Sequence, residues 1–192
     1  MKPKTLILAL LTLAPAAVFA ADNLPTGWTK RGSQPTEYEV GVDSKIYHSG
    51  HASAYIKSIA KEFHGFGTLM QTAGPGEYLG KRVRMSAFVK ADQVSEWAAL
   101  WLRVDGPRGG IDNNMLAIDN MQNRPLKGTF DWKKVEIVLD VSENATDIAF
   151  GIMLNNRGQA WIDDLKFEVV PPSVPITGRE GPTPPSNLGF EK

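Results

Sequence analysis

The strongest constraint on this chain is a hydrophobic pattern with period two that recurs along it, broken by glycine- and proline-rich turns. Val135, Ile137, Leu139 and Val141 alternate with Lys134, Glu136 and Asp140. Val83, Met85, Ala87 and Val89 alternate with Arg84, Ser86 and Lys90. Successive strand side chains point to opposite faces, so such runs are half-buried β-strands, one face on a core and one toward water. The pattern predicts strands at Tyr38–Val42, Ala52–Lys57, Phe66–Thr72, Arg82–Lys90, Glu96–Asp105, Met115–Asp119, Trp132–Val141, Ile148–Leu154 and Ala160–Val170. Turn chemistry separates them, as at Gly74-Pro75-Gly76, Gly106-Pro107-Arg108-Gly109-Gly110 and Asn155-Asn156-Arg157-Gly158. No segment beyond the N-terminus sustains a 3.6-residue period. The expected fold is all-β, an antiparallel two-sheet β-sandwich (jelly roll) of about 8–10 strands.

The ends differ from the middle. Lys2 and Lys4 precede the apolar run Leu6–Leu11, and small residues follow in Val18-Phe19-Ala20-Ala21. This reads as a signal peptide over residues 1–20, cleaved after Ala20 or Ala21, because the run is too short to span a bilayer. The expectation is export to a periplasm or the extracellular medium, with no membrane segment after processing. Residues 21–170 form the sandwich domain. Residues 171–185 carry six of the 13 prolines, so 171–186 reads as an extended linker. Residues 187–192 then either return as an edge strand or begin another module.

Composition narrows function. The chain of 192 residues balances 21 basic against 21 acidic residues and has no cysteine. Nucleic-acid binders usually carry a basic excess, so none is expected as partner. Without cysteine there is no disulfide, thiolate metal site or Cys nucleophile.

On Glu96–Asp105, Ala98, Leu100, Leu102 and Val104 share one face; Trp97, Trp101, Arg103 and Asp105 share the other. Indoles stack on the apolar faces of sugar rings, and charged side chains bond hydroxyls, so these four are the candidate ligand-binding residues. The competing reading has the same face covered by Gly106–Thr129. Trp161 has the parity of Leu165 and Phe167, which predicts a core position, and Asp163 shares that inward parity. A carboxylate there is either bonded to turn amides or bound to a cation such as Ca²⁺. His48 and His51 fall in a turn that favours solvation over metal binding. Asp163 and Asp164 are adjacent, so on a regular strand they cannot flank one glycosidic bond.

Gly50-His51-Ala52-Ser53-Ala54, Gly80–Lys90, Asp131–Val135 and Gly158–Leu165 together resemble the galactose-binding-like β-jelly-roll superfamily, which includes carbohydrate-binding modules. The resemblance covers residues 24 to 170. It implies a structural Ca²⁺ in some members, held here by Asp43, Asp163 and Glu191. Similar modules also occur fused to bacterial regulators, although no helix-turn-helix is legible here. The leading expectation is a non-catalytic, exported module that binds a glycan or glycan-like ligand. A structural or protein-interaction domain is the alternative, with other proteins as partners. A small hydrolase is third, since no nucleophile–base pair is legible; it requires His64 to meet a carboxylate and a serine.

Overall fold

The structure is a computed structural model that describes residues 24–107, 114–180 and 188–189; for 179 and 180 it describes the backbone alone. The described residues form ten strands and two short 3-10 turns. The strands are β1 (Thr29–Gly32), β2 (Tyr38–Asp43), β3 (Ser53–Ser58), β4 (Phe66–Ala73), β5 (Lys81–Asp105), β6 (Met115–Asp119), β7 (Leu126–Val141), β8 (Asp147–Asn155), β9 (Gln159–Val170) and β10 (Arg179–Glu180). Every pairing is antiparallel.

The two strands expected at Arg82–Lys90 and Glu96–Asp105 are one strand of 25 residues that serves both layers. Its first half lies between β7 and β9, and β3 and β2 complete that sheet. Its second half lies between β6 and β8, with β4 and β1 beyond β8. The strand turns the corner where its register against β7 slips three times, between Val89 and Ala98, and where Gln93 has φ 50°. Register slips of this kind bend a strand and let it change sheets. Gly158 fits here because its φ is +128° and an added Cβ would stand 2.7 Å from the Val94 Cα.

The core lies between the layers. Val83, Met85, Ala87 and Val89 supply one wall; Ala98, Leu100, Leu102 and Val104 supply the other, all in one buried cluster. An end of the interior is filled by Trp28, Phe150, Phe167 and Tyr78 in consecutive ring contacts of 5.8, 4.9 and 5.8 Å.

Alternation misplaces one strand. Phe88 pairs with Asp163 but Ser86 pairs with Lys166, so Ala87 faces both Asp164 and Leu165. Asp164 takes φ 50° at this bulge. The extra residue reverses parity: Ala160 and Ile162 face the core before it, whereas Leu165 and Phe167 pack on the core after it. Trp161 and Asp163 therefore lie on the outer face beside Lys90 and Phe88, not inward as parity predicts, although the Trp161 side chain is buried there as expected of a core residue.

The C-terminal segment also departs from expectation. Residues 171–180 run as a strap along the sandwich. Arg82 Nη1 donates to the carbonyls of Pro172 and Val174. Thr177 N–H donates to Val138 O at 2.9 Å, and Arg179 and Glu180 pair with Ile118 and Ala117. Proline richness correctly signals extended backbone but is silent on docking, because the contacts are made by carbonyls, by the Thr177 amide and hydroxyl and by the pairing of residues 179 and 180, none of them on a proline ring. The signal peptide at 1–20 lies outside the described residues. So does the edge strand expected at 187–192, except for Leu188 and Gly189, which form a turn.

Candidate functional site

The odd-numbered residues of the second half of β5 do share the outer face of their sheet, opposite Asn155, Met153, Gly151, Ala149 and Asp147 of β8. The four residues expected to form one binding surface have different fates. Trp101 is buried, 4% exposed, and its Nε1–H donates to Thr68 Oγ1 at 2.9 Å. Thr68 belongs to β4, two strands away, so the indole reaches across β8 where Gly151 stands opposite it. Glycine leaves a trough, and the ring fills it. Trp101 is therefore a structural residue closed to ligand. Period-two reasoning assigns a side chain to a face but cannot tell a ring standing into solvent from one sealed against its own sheet.

Asp105 is buried as well, and its Oδ2 accepts from Arg103 Nε at 3.0 Å and Nη2 at 2.8 Å. It holds Arg103 rather than meeting a ligand. Arg103 keeps 42% of its side chain exposed beside this pair.

Trp97 is half-buried and anchored. With the Asn155 amide turned so that its oxygen faces the indole, that oxygen accepts from Trp97 Nε1 at 3.1 Å, and the amide nitrogen donates to Gly65 O at 2.9 Å. The Phe66 ring is 6.3 Å away at an interplanar angle of 37°. Fixed this way, Trp97 walls a depression of about 300 Å³ with Ala99, Asn120, Met121, Gln122, Pro125 and Lys127. An aromatic plane facing amide side chains and one ammonium can stack on an apolar ring face and hydrogen-bond its polar substituents. Trp101, Arg103 and Asp105 do not line it. Asn120 and Gln122 of the turn and Lys127 of β7 were not singled out by sequence; the one signal is the amide-rich run Asn120-Met121-Gln122-Asn123.

The carboxylates expected to hold Ca²⁺ are otherwise engaged. Asp43 Oδ1 accepts the Lys45 and Ile46 amides at 2.8 and 3.0 Å, and Oδ2 accepts Trp161 Nε1 at 3.0 Å. Asp163 Oδ2 accepts the His48 and Ser49 amides at 2.7 and 3.1 Å, and Oδ1 accepts the Asp164 amide at 2.8 Å. Glu191 lies outside the described residues. No cluster of three or more His, Cys, Asp or Glu suited to a metal occurs among the described residues. N–H donors thus reach all four oxygens of these two carboxylates, and a calcium ion, which takes six to eight oxygen ligands, would need further oxygens beside them.

The same loop bears on hydrolysis. Asp164 bonds His48 Nδ1 at 2.6 Å and accepts from the Ser49 hydroxyl at 2.6 Å, while the His48 ring stacks on Phe88 at 3.6 Å. Serine thus donates to aspartate rather than to histidine, which is not the order a nucleophilic triad requires. His64 does meet a carboxylate, Glu37, at 2.8 Å. Among the described residues, no serine hydroxyl bonds its ring.

No protein-family model matches the chain. Solved structures do resemble it. The xylan-binding CBM22-1 domain from Paenibacillus barcinonensis Xyn10C superposes with a TM-score of 0.54 at 16% identity, covering 78% of this chain and 89% of that domain. The family 30 carbohydrate-binding module of the Clostridium thermocellum cellulase Cel9D-Cel44B gives 0.54 at 14% identity, covering 78% and 95%. The fold is the β-sandwich of carbohydrate-binding modules. In sequence, the chain is 43% identical over 171 residues to a Bacillus subtilis protein named as an uncharacterized HTH-type transcriptional regulator, YbfP. That alignment covers 86% of this chain but only 57% of the regulator's length. At such low identity to the carbohydrate-binding modules, shared architecture carries no ligand, and any ligand must be argued from this chain's own residues.

The sandwich's carboxylates set its acid response. Ser49 and then His48 hold Asp164 below the ordinary carboxylate range against a desolvation that opposes them. The Arg82 hydrogen bond does the same for Asp140. Burial alone raises Asp43, but the amides of Lys45 and Ile46 and the Trp161 indole outweigh it and hold it low. Groups lower in the folded state bind protons first in the unfolded state, so acid favours unfolding. The expected melting temperature is flat above roughly pH 5 and falls as pH drops through about 4 and below. Thermal melts from pH 7 to 3 check this; a transition that stays put down to pH 3 contradicts it.

Proposed function

We propose that this protein is an exported, non-catalytic module that takes a glycan or glycan-like ligand against Trp97. The observation that carries the reading is the anchored, half-open indole facing Asn120, Gln122 and Lys127 across a depression of about 300 Å³. An indole fixed by its own N–H presents a rigid plane at little entropic cost, and the amides opposite it supply both donors and acceptors for hydroxyls. The ligand class rests on these residues, and the xylan-binding neighbour makes xylan a sensible first probe. One stacking indole with a few hydrogen bonds gives an affinity of roughly millimolar order.

Affinity electrophoresis against a soluble polysaccharide panel that includes xylan tests the reading. The wild type is retarded by at least one member, and Trp97→Ala abolishes retardation while the protein stays folded by circular dichroism. Retardation that survives Trp97→Ala places the ligand elsewhere.

A second reading rests on the 43% identity to the B. subtilis regulator: the same sandwich as the ligand-sensing part of a regulatory protein. Cell fractionation separates the two. Export yields a mature chain beginning at residue 21 or 22 outside the cytoplasm; a regulator stays in the cytoplasm with residues 1–20 attached.

A further inference from the structure

The turn that forms one wall of the Trp97 groove does not stand alone. Asp119, the last residue of β6, is 4% exposed and lies beneath it. Its Oδ1 accepts the Met121 amide at 2.8 Å and Arg124 Nη1 at 3.1 Å, while Oδ2 accepts Arg124 Nη2. Met121 itself has φ 55° and a buried side chain, and the Arg124 amide closes the turn on Met121 O at 2.9 Å. A methionine in the left-handed region needs surroundings that fix it. The remaining bond to Asp119 comes from the strap: Thr177 Oγ1–H donates to Oδ2 at 2.6 Å. Thr177 is itself seated twice on Val138 of β7, which accepts its amide at 2.9 Å and donates to its Oγ1 at 2.8 Å. A second depression of about 350 Å³ is lined by Asn120, Gln122 and Asn123 of the same turn together with Asp119 and Thr177.

We infer that the C-terminal strap is a working part of the ligand site, with Thr177 and Asp119 acting as positioning residues that hold Asn120 and Gln122 at their distance from Trp97. The inference rests on the glycan reading of the Trp97 groove and adds its control element. Three parts far apart in sequence converge here: the strap at 177, the end of β7 at 138 and the turn at 119–124. The strap's hydroxyl reaches the turn only through the buried carboxylate. Removing that hydroxyl loosens the wall of the groove without touching a residue that meets ligand. A hydrogen bond to a charged group is worth enough for roughly a tenfold effect when lost.

The test uses the full-length chain, Thr177→Val and Thr177→Ser, with xylohexaose and soluble xylan as probes, titrated by calorimetry and affinity electrophoresis. Amide exchange at Met121 is followed in parallel. In Thr177→Val, Met121 exchange quickens, affinity falls roughly tenfold, and the protein stays folded. Thr177→Ser, which keeps the hydroxyl, returns affinity to within about twofold. A merely structural strap would lower the melting temperature of Thr177→Val and leave affinity alone. Faster Met121 exchange with unchanged affinity overturns the inference, as does unchanged exchange. If another member of the polysaccharide panel binds the wild type and xylan does not, that member replaces xylan as the probe; if no member binds, the glycan reading itself fails and this inference falls with it, whatever Met121 does.

Discussion

Trp101→Ala lowers stability by about 3–5 kcal/mol, the range for deleting a fully buried large aromatic. The indole is sealed over β8, and its N–H is the partner of a buried threonine hydroxyl. Truncation leaves a cavity on the sheet face and a Thr68 oxygen that has lost its donor, although Thr68 still bonds Ile152 O at 3.0 Å. Urea unfolding checks this: the midpoint drops steeply with the slope nearly unchanged. Trp97→Ala, on the same face of the same strand, costs less because its ring is only half-buried. Equal losses at the two positions would contradict the division of roles between them.

Asp119→Ala lowers stability by about 2–4 kcal/mol. Its carboxylate accepts from Met121, Arg124 and Thr177, and all three donors lose their common acceptor at once. Arg124 keeps 32% of its side chain exposed, so water recovers part of the loss at that partner. Asp105→Ala is the control, because its cation Arg103 is 42% exposed and, among the described residues, is the one side chain that bonds its carboxylate; about 1 kcal/mol or less is expected. Denaturant midpoints of the two variants, measured together, separate a hub from an isolated pair.

How much of this was legible in the sequence follows from what period two can report. It places Val83, Met85, Ala87 and Val89, and Ala98, Leu100, Leu102 and Val104, on opposite walls of one core, as observed. It fails at Asp164, because a bulge shifts parity by one and a single sequence gives no signal for an aspartate at positive φ. That failure puts Trp161 and Asp163 on the wrong side. Of the proposed groove, the place of Trp97 on the outer face of β5 was legible, whereas the burial of Trp101 on that same face was not, for want of depth information. Asn120, Gln122 and Lys127 were missed because they lie in a turn-rich stretch whose shape is set by tertiary partners. The clasp between Asp119 and Thr177 joins residues 58 positions apart, which no local pattern reveals.

The central claim is that a ligand meets Trp97 and leaves Trp101 untouched. Each tryptophan has its own indole N–H resonance, so ¹H–¹⁵N spectra recorded during titration with xylan fragments and the wider glycan panel resolve them separately. A binding glycan shifts the Trp97 indole signal and the Asn120 and Gln122 side-chain amides, while the Trp101 signal, locked to Thr68, holds its position. A titration that moves Trp101 or Trp161 while Trp97 stays fixed contradicts the account.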